Sequence, residues 1–361
     1  MDFYEVLGRE RRGQLSFGAR PQHRRPTPRP DGHGKNAGQR PAAPWWRCAR
    51  PPRRLPWLTV PRTLRTPLLL AVLLAALAVA AVALARTGGD APGASEATGP
   101  TVAAPESLPA PGAALPRSAA GLAAALTQTT RRLRVAIETW TALEGATAAA
   151  PPRTVTLLAL HQQRLYRRLA DDPARADRIV ARLGPTLRGE ARDIILARRA
   201  LGRIRRSGRV PAVRTAAAAP AEELRGIYAS AQRRFRVPRD VLAAVNFVES
   251  AFGRVRSASE AGARGPMQFL PATWRQYGLG GDIDKPRDAI FGAANYLRAS
   301  GAPGDLRRAL FAYNRSTDYV SAILRFARRM RADERTFYAF YAWQVYVRTP
   351  AGGVRRLTGP R

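Results

Sequence analysis

The stretch Pro238-Arg239-Asp240-Val241-Leu242-Ala243-Ala244-Val245-Asn246-Phe247-Val248-Glu249-Ser250-Ala251-Phe252-Gly253 predicts a helix. Val241, Leu242, Val245 and Val248 recur at helical spacing and form an apolar stripe. Pro238 suits the first turn, where its missing N–H costs nothing, and Gly253 is a natural stop. Leu242, Val245 and Glu249 are three and four residues apart, which puts the carboxyl on the apolar face. It also lies in the last turn, at the negative end of the helix dipole. Both settings penalise the charged form. A carboxyl kept protonated near neutral pH is what a general acid at a glycosidic oxygen requires. The plainer account of a glutamate at a helix boundary is a side chain bent to solvent, and the neighbouring sequence decides between the two.

Further helices are expected on either side. Asp288 to Ser300 carries Ile290, Ala293, Ala294 and Leu297 on one face and ends at Gly301. Asp305 is an N-cap for a helix with Leu306, Ala309, Leu310 and Tyr313 inward, and Val320, Ile323, Leu324 and Ala327 mark the next. Upstream, Leu122, Leu126, Leu133 and Ile137, then Leu157, Leu158, Leu165 and Leu169, then Ile179 to Ile204, predict three or four arginine-studded helices broken at Pro151-Pro152 and Gly184-Pro185. The fold class is therefore mainly α. Trp343 to Arg348, followed by Ala351-Gly352-Gly353, reads as a short hairpin.

Downstream of Glu249-Ser250-Ala251-Phe252 come Ser259-Glu260-Ala261-Gly262-Ala263-Arg264-Gly265-Pro266-Met267-Gln268-Phe269, then Pro271-Ala272-Thr273-Trp274, then Ala312-Tyr313-Asn314. This ordered set resembles the lytic transglycosylases, which carry a goose-lysozyme-like α-helical domain. Gly-Pro-Met-Gln-Phe with Tyr-Asn-x-Ser downstream is most similar to the membrane-bound type B branch and its actinobacterial relatives. The resemblance covers roughly residues 221–330. It implies that Glu249 is the sole catalytic acid/base, that Ser259, Met267 and Gln268 line the sugar cleft, and that Tyr313 and Asn314 face the carboxyl. It also implies cleavage of the MurNAc–GlcNAc β-1,4 bond without water, leaving a 1,6-anhydro end. One departure stands out: the larger family's Tyr-Asn-Ala-Gly is here Tyr313-Asn314-Arg315-Ser316.

The residue chemistry agrees. Gly262 and Gly265 permit a tight loop, and Gln268 offers donor and acceptor to hydroxyl or acetamido groups. Core packing is the ordinary role of Phe269 and Trp274, and a buried structural bond that of Tyr313. Most glycosidases use two carboxylates, but no second one has a comparable position; Glu260 lies in the glycine loop. Asp282-x-Asp284 lacks the remaining ligands of a calcium loop. His23, His33 and His161 show no metal spacing. No metal or cofactor is expected. A hydrolytic muramidase of the same fold and a non-catalytic wall-binding module remain the rival readings.

The formal net charge is +34, and Lys35 and Lys285 are the only lysines among 60 basic residues. From Arg86 onward the balance is still +23, with 45 basic and 22 acidic residues. Arginine is scattered over every predicted helix without a recognition motif, which argues against nucleic acid as the partner and favours peptidoglycan carboxylates and phosphate-bearing wall polymers. Cys48 is the only cysteine, so no disulfide framework exists.

Residues 1–66 form a basic, proline-rich tail. Residues 67–86 contain the uncharged run Leu68–Ala85, about the length that spans a bilayer. Arg53, Arg54, Arg62 and Arg65 precede it, and only Arg86 follows closely. The positive-inside rule then leaves the N-terminus cytoplasmic and the rest extracytoplasmic, as a single-pass membrane protein. Ala83-Leu84-Ala85 has the form of a signal-cleavage site, which makes secretion after cleavage the alternative. An Ala/Pro-rich linker is expected over 87–118, a helical region over 119–218, the transglycosylase-like domain over 219–335, and a hairpin and tail over 336–361.

Overall fold

The computed structural model describes residues 107–143, 145, 150–204, 212–349 and 353–360. The tail, the apolar run Leu68–Ala85 and most of the linker lie outside them. Among the described residues no helix is long and apolar enough to cross a membrane.

Among the described residues four helices come first: α1 (Ala119–Ala142), α2 (Arg153–Asp171), α3 (Pro173–Ala181) and α4 (Pro185–Arg203). Their starts follow local chemistry. Ser118 caps α1 by accepting from the Gly121 N–H, Asp172 caps α3 by accepting from the Arg175 N–H, and Pro173 and Pro185 occupy first-turn positions. The stripe Leu122, Leu126, Leu133 and Ile137 is buried as expected. Residues 107–118, expected as linker, instead lie on this helical part. Leu108 and Leu115, two of the few large apolar side chains there, pack against the core.

Then follow α5 (Ala221–Phe235), α6 (Arg239–Ser250), α7 (Pro271–Tyr277), α8 (Pro286–Ala299), α9 (Leu306–Tyr313) and α10 (Thr317–Ala332). The helix α6 is central, and every residue from Val241 to Ser250 is buried. Asp305 caps α9 by accepting from the Arg308 N–H, as the sequence predicts.

Two expectations are corrected. Residues 336–361 are not a peripheral tail. A further helix, α11 (Arg335–Ala342), carries Phe337, Phe340 and Tyr341 into the core, and Trp343 follows at 1% exposure. The Phe340 ring stacks on Phe247 of α6 at 4.9 Å and 9°, and Trp343 touches Phe340, Phe247 and Tyr166. Burying each such ring contributes about 1.5–3 kcal/mol. The expected hairpin is present beyond it, as β1 (Tyr346–Arg348) antiparallel to β2 (Val354–Arg356) with Tyr346 opposite Arg356.

Nor is there a break in the core at 218/219. The described residues fall in one compact unit with one continuous hydrophobic core. Helix α10 packs against α6 on one side and α4 on the other. On the α4 side, buried Asp193 receives Arg325, Arg328 and Arg329, all from α10.

Candidate active site

The carboxyl of Glu249 lies one residue before the end of α6, and the residue is 4% exposed. The chain then turns through three consecutive positive φ values: Ala251 at 51°, Phe252 at 62° and Gly253 at 82°. The helix stops two residues earlier than a glycine stop at 253 predicts. Left-handed backbone costs a non-glycine residue about 1–2 kcal/mol. Phe252 recovers this by burying its ring against Phe247 and Phe337, which is worth about 1.5–3 kcal/mol. Ser250 braces the turn, because its Oγ accepts from the Gly253 N–H at 2.8 Å.

The facing loop is built from backbone pairs. Ser259 and Ala263 bond twice, Ser259 N–H to Ala263 O and Ala263 N–H to Ser259 Oγ, at 2.9 and 3.0 Å. Arg264 and Phe269 exchange both backbone hydrogen bonds, which closes the turn Gly265-Pro266-Met267-Gln268. Gly265 is required there twice over. Its φ is +75°, and a Cβ would lie 1.9 Å from the Ile283 carbonyl oxygen. The close approach that demands a glycine is thus to the protein's own backbone. Gly262, also at positive φ, has open space around it.

This turn is fastened to α6 and α9 by buried polar groups. The Pro266 carbonyl accepts from Asn246 Nδ2 at 2.8 Å and from the Ser250 hydroxyl. Tyr228 donates to Asn246 Oδ1 at 2.6 Å, and burial pushes that phenol well above its ordinary pKa. Tyr313, at the end of α9, donates to the Met267 carbonyl at 2.6 Å. Met267 itself is fully buried. Gln268 stands at φ +48°, with Nε2 donating to Gly265 O at 3.1 Å. Its Oε1 is a buried acceptor with no donor among the described residues. Asn314 is half-buried between α9 and α10, and its carbonyl accepts from the Ser316 N–H at 2.7 Å.

Tyr319 places a hydroxyl on the carboxylate. It donates to Glu249 Oε1 at 2.7 Å, and the residue is fully buried. Ser316 caps α10 by accepting from the Tyr319 N–H, which fixes the first turn that presents this side chain. Sequence reading did not single out Tyr319 or Asn246. The signals were present: Tyr319 leads the stripe Tyr319-Ile323-Phe326-Met330, and Asn246 is a polar residue inside an otherwise apolar helix that must find partners.

Other residues take structural positions. Phe269 is buried and packs on Trp274 at 5.2 Å, while the Trp274 ring lies where Gly278 and Gly292 would carry a Cβ. Asp282 Oδ1 accepts from the Asp284 N–H, and Asp284 pairs with Arg264. Glu260 is exposed. His161 is half-buried, and burial together with the Arg164 charge lowers its pKa.

Residues 227–333 match the family model described as the transglycosylase SLT domain. No curated protein and no solved structure gives a match. The matched segment begins within α5 and ends just beyond α10. It takes in Glu249, the 259–269 loop, Tyr313 and Tyr319, and leaves out α1–α4, α11 and the hairpin.

Proposed function

We propose that the protein is a peptidoglycan lytic transglycosylase of the type B kind, with Glu249 as its acid/base. Three carboxylates are buried among the described residues. Glu190 and Asp193 lie outside the segment matching the transglycosylase domain, whereas Glu249 lies inside it, at the end of α6, where Tyr319 donates to its carboxylate. That placement carries the reading.

The Glu249 carboxyl first gives its proton to the bridging oxygen as the bond to C1 of the muramic residue breaks. The 2-acetamido group helps stabilise the oxocarbenium-like centre. The carboxylate then takes the C6 hydroxyl proton as O6 bonds C1, which closes the 1,6-anhydro ring and restores the acid. No water is consumed. Gln268, with a free buried acceptor, supports a role in holding an amide or hydroxyl of the glycan. Ser259 and the Tyr313-Asn314 turn complete the cleft in this reading.

The test is mass spectrometry of glycans released from purified sacculi. An anhydro product is lighter by one water than the reducing-end product of a muramidase, and finding only the latter makes the enzyme a hydrolase. The run Leu68–Ala85 with its arginine asymmetry supports a single membrane anchor and an external catalytic part. Protease added to intact spheroplasts should trim the protein to a short N-terminal remnant, and full protection refutes that topology.

A further inference from the structure

Two adjoining grooves run along α1, away from the carboxyl site. One, of about 520 Å³, is lined by Ala120, Ala123, Thr127, Arg131 and Arg182. The other, of about 390 Å³, is lined by Thr127, Arg131, Arg134, Val135, Glu138 and Arg335, and is closed by the turn Gly184–Leu187. Thr127 and Arg131 line both, so they form one continuous channel. None of these residues lies in the segment 227–333.

The charge in this channel is unbalanced. Arg134 pairs with Glu190 and Asp333, and Arg335 with Glu138 and Asp333. Glu138, the one carboxylate in the lining, is therefore already engaged. Arg131 and Arg182 are exposed, and among the described residues neither guanidinium has an ion pair or hydrogen bond. Exposed arginines are common, but these two stand in a concave channel at its shared centre and one end. Two cationic stations in one channel fit a ligand with an anion on successive repeats. Beside its arginines the lining offers Gln128 and the hydroxyls of Thr127, Thr130 and Thr186. The oxygens of a phosphodiester chain are acceptors that match guanidinium donors bidentately. The small side chains Ala120 and Ala123 leave room for the carbon faces of sugar or polyol units.

We propose that this channel binds a phosphodiester-linked polymer strand, held by bidentate contacts from Arg131 and Arg182. The site is independent of the role assigned to Glu249. It gives residues outside the matched domain a function as an anchor on an anionic polymer.

Amide hydrogen exchange on the full chain in non-ionic detergent tests this, because it reads the channel separately from the basic tail. Inorganic polyphosphate is the probe, and polyglutamate of equal charge the comparison. Polyphosphate should slow exchange in the Arg182–Arg188 turn. In the Arg131→Ala/Arg182→Ala double variant the midpoint of that protection should rise at least about tenfold, since a charge-assisted hydrogen bond contributes about 1.5–3 kcal/mol. The control double Arg192→Ala/Arg307→Ala, two exposed arginines elsewhere, should leave it within about twofold. Circular dichroism on each variant confirms the fold. Equal loss in both doubles means a diffuse charge effect and overturns the proposal. Equal protection by polyglutamate shows a carboxylate site and overturns the phosphodiester assignment. Absence of protection in the turn with wild-type protein overturns it outright.

Discussion

Replacing Tyr319 by Phe isolates the contact that most directly bears on Glu249. The ring is fully buried and keeps its packing; only the hydroxyl, 2.7 Å from Glu249 Oε1, is lost. A hydrogen bond to a charged group contributes about 1.5–3 kcal/mol. At roughly 1.4 kcal/mol per factor of ten, turnover on sacculi should fall about 10- to 150-fold if the bond aligns the carboxyl for proton transfer. The donor also favours the ionised carboxyl, so its loss favours the acid. The pH limb on which Glu249 ionises should move upward.

Tyr313→Phe supplies the comparison. Its hydroxyl donates to the Met267 carbonyl. Leaving that buried acceptor unpaired costs about 1–3 kcal/mol of stability, or about 2–4 °C in Tm per kcal/mol for a unit of this size. Its main effect should be a lower Tm, with a smaller loss of turnover and an unmoved pH limb. Calorimetry and pH–rate profiles on both variants decide the matter. Normal turnover and an unmoved limb in Tyr319→Phe refute the positioning role. A limb moved by Tyr313→Phe alone would return that role to the Tyr313-Asn314 pair that the motif resemblance implies.

Glu249→Gln should lower product release by orders of magnitude while far-UV circular dichroism and sacculus binding stay intact; near-normal turnover would sink the assignment and make Glu260 the next residue to test. Phe340→Ala, which removes the ring stacked on Phe247, should cost about 3–5 kcal/mol in chemical unfolding, and a loss under about 1 kcal/mol would show that α11 is peripheral after all. Gly265→Ala must displace the Ile283 backbone, so it should abolish lytic activity, whereas Gly262→Ala, with open space around it, should cost only about 1–2 kcal/mol of backbone strain; equal effects would contradict this. Burial alone would raise the Asp333 pKa, but hydrogen bonds from Arg335 and the charges of Arg335 and Arg134 outweigh it and hold the carboxyl below the ordinary 3.8. The stability this contributes is present above 3.8 and is lost as pH falls through the lower folded value. Asp333→Asn should therefore lie below the wild type by a constant margin at neutral pH, with the gap closing only under about pH 4. A gap that is unchanged at low pH would show that charge is not its source.

Much of the fold was legible because its helices are amphipathic. The stripes of α1, α6, α8, α9 and α10 show the helical period, and Asp305 and the helix-initiating prolines mark ends by chemistry that acts locally. Helix α11 was not legible for the converse reason. Thr336-Phe337-Tyr338-Ala339-Phe340-Tyr341-Ala342 is buried on all sides, so it has no polar face to set a period. Of the candidate site, the inward place of Glu249 and the tight turns of the loop were legible, since a carboxyl on an apolar stripe and glycines in a short loop are local signals. The positive φ values of Ala251, Phe252 and Gln268 were not, because nothing in those side chains favours left-handed backbone. Tertiary burial and hydrogen bonds impose it.

The same distinction explains the helical region before the matched domain. Its arginines read as surface composition, yet Asp193 on α4 gathers three arginines from α10. A buried aspartate must be compensated, and removing one partner of such a cluster costs about 3–5 kcal/mol. Tyr319 precedes those arginines by six to ten residues on the same helix, about 9–15 Å along its axis. The α4–α10 contact therefore sets the height at which the first turn of α10 meets the end of α6. The helix α10 that presents Tyr319 to Glu249 is thus also held by α4, a helix outside the matched segment. The described parts on either side of the boundary expected at 218/219 share one core.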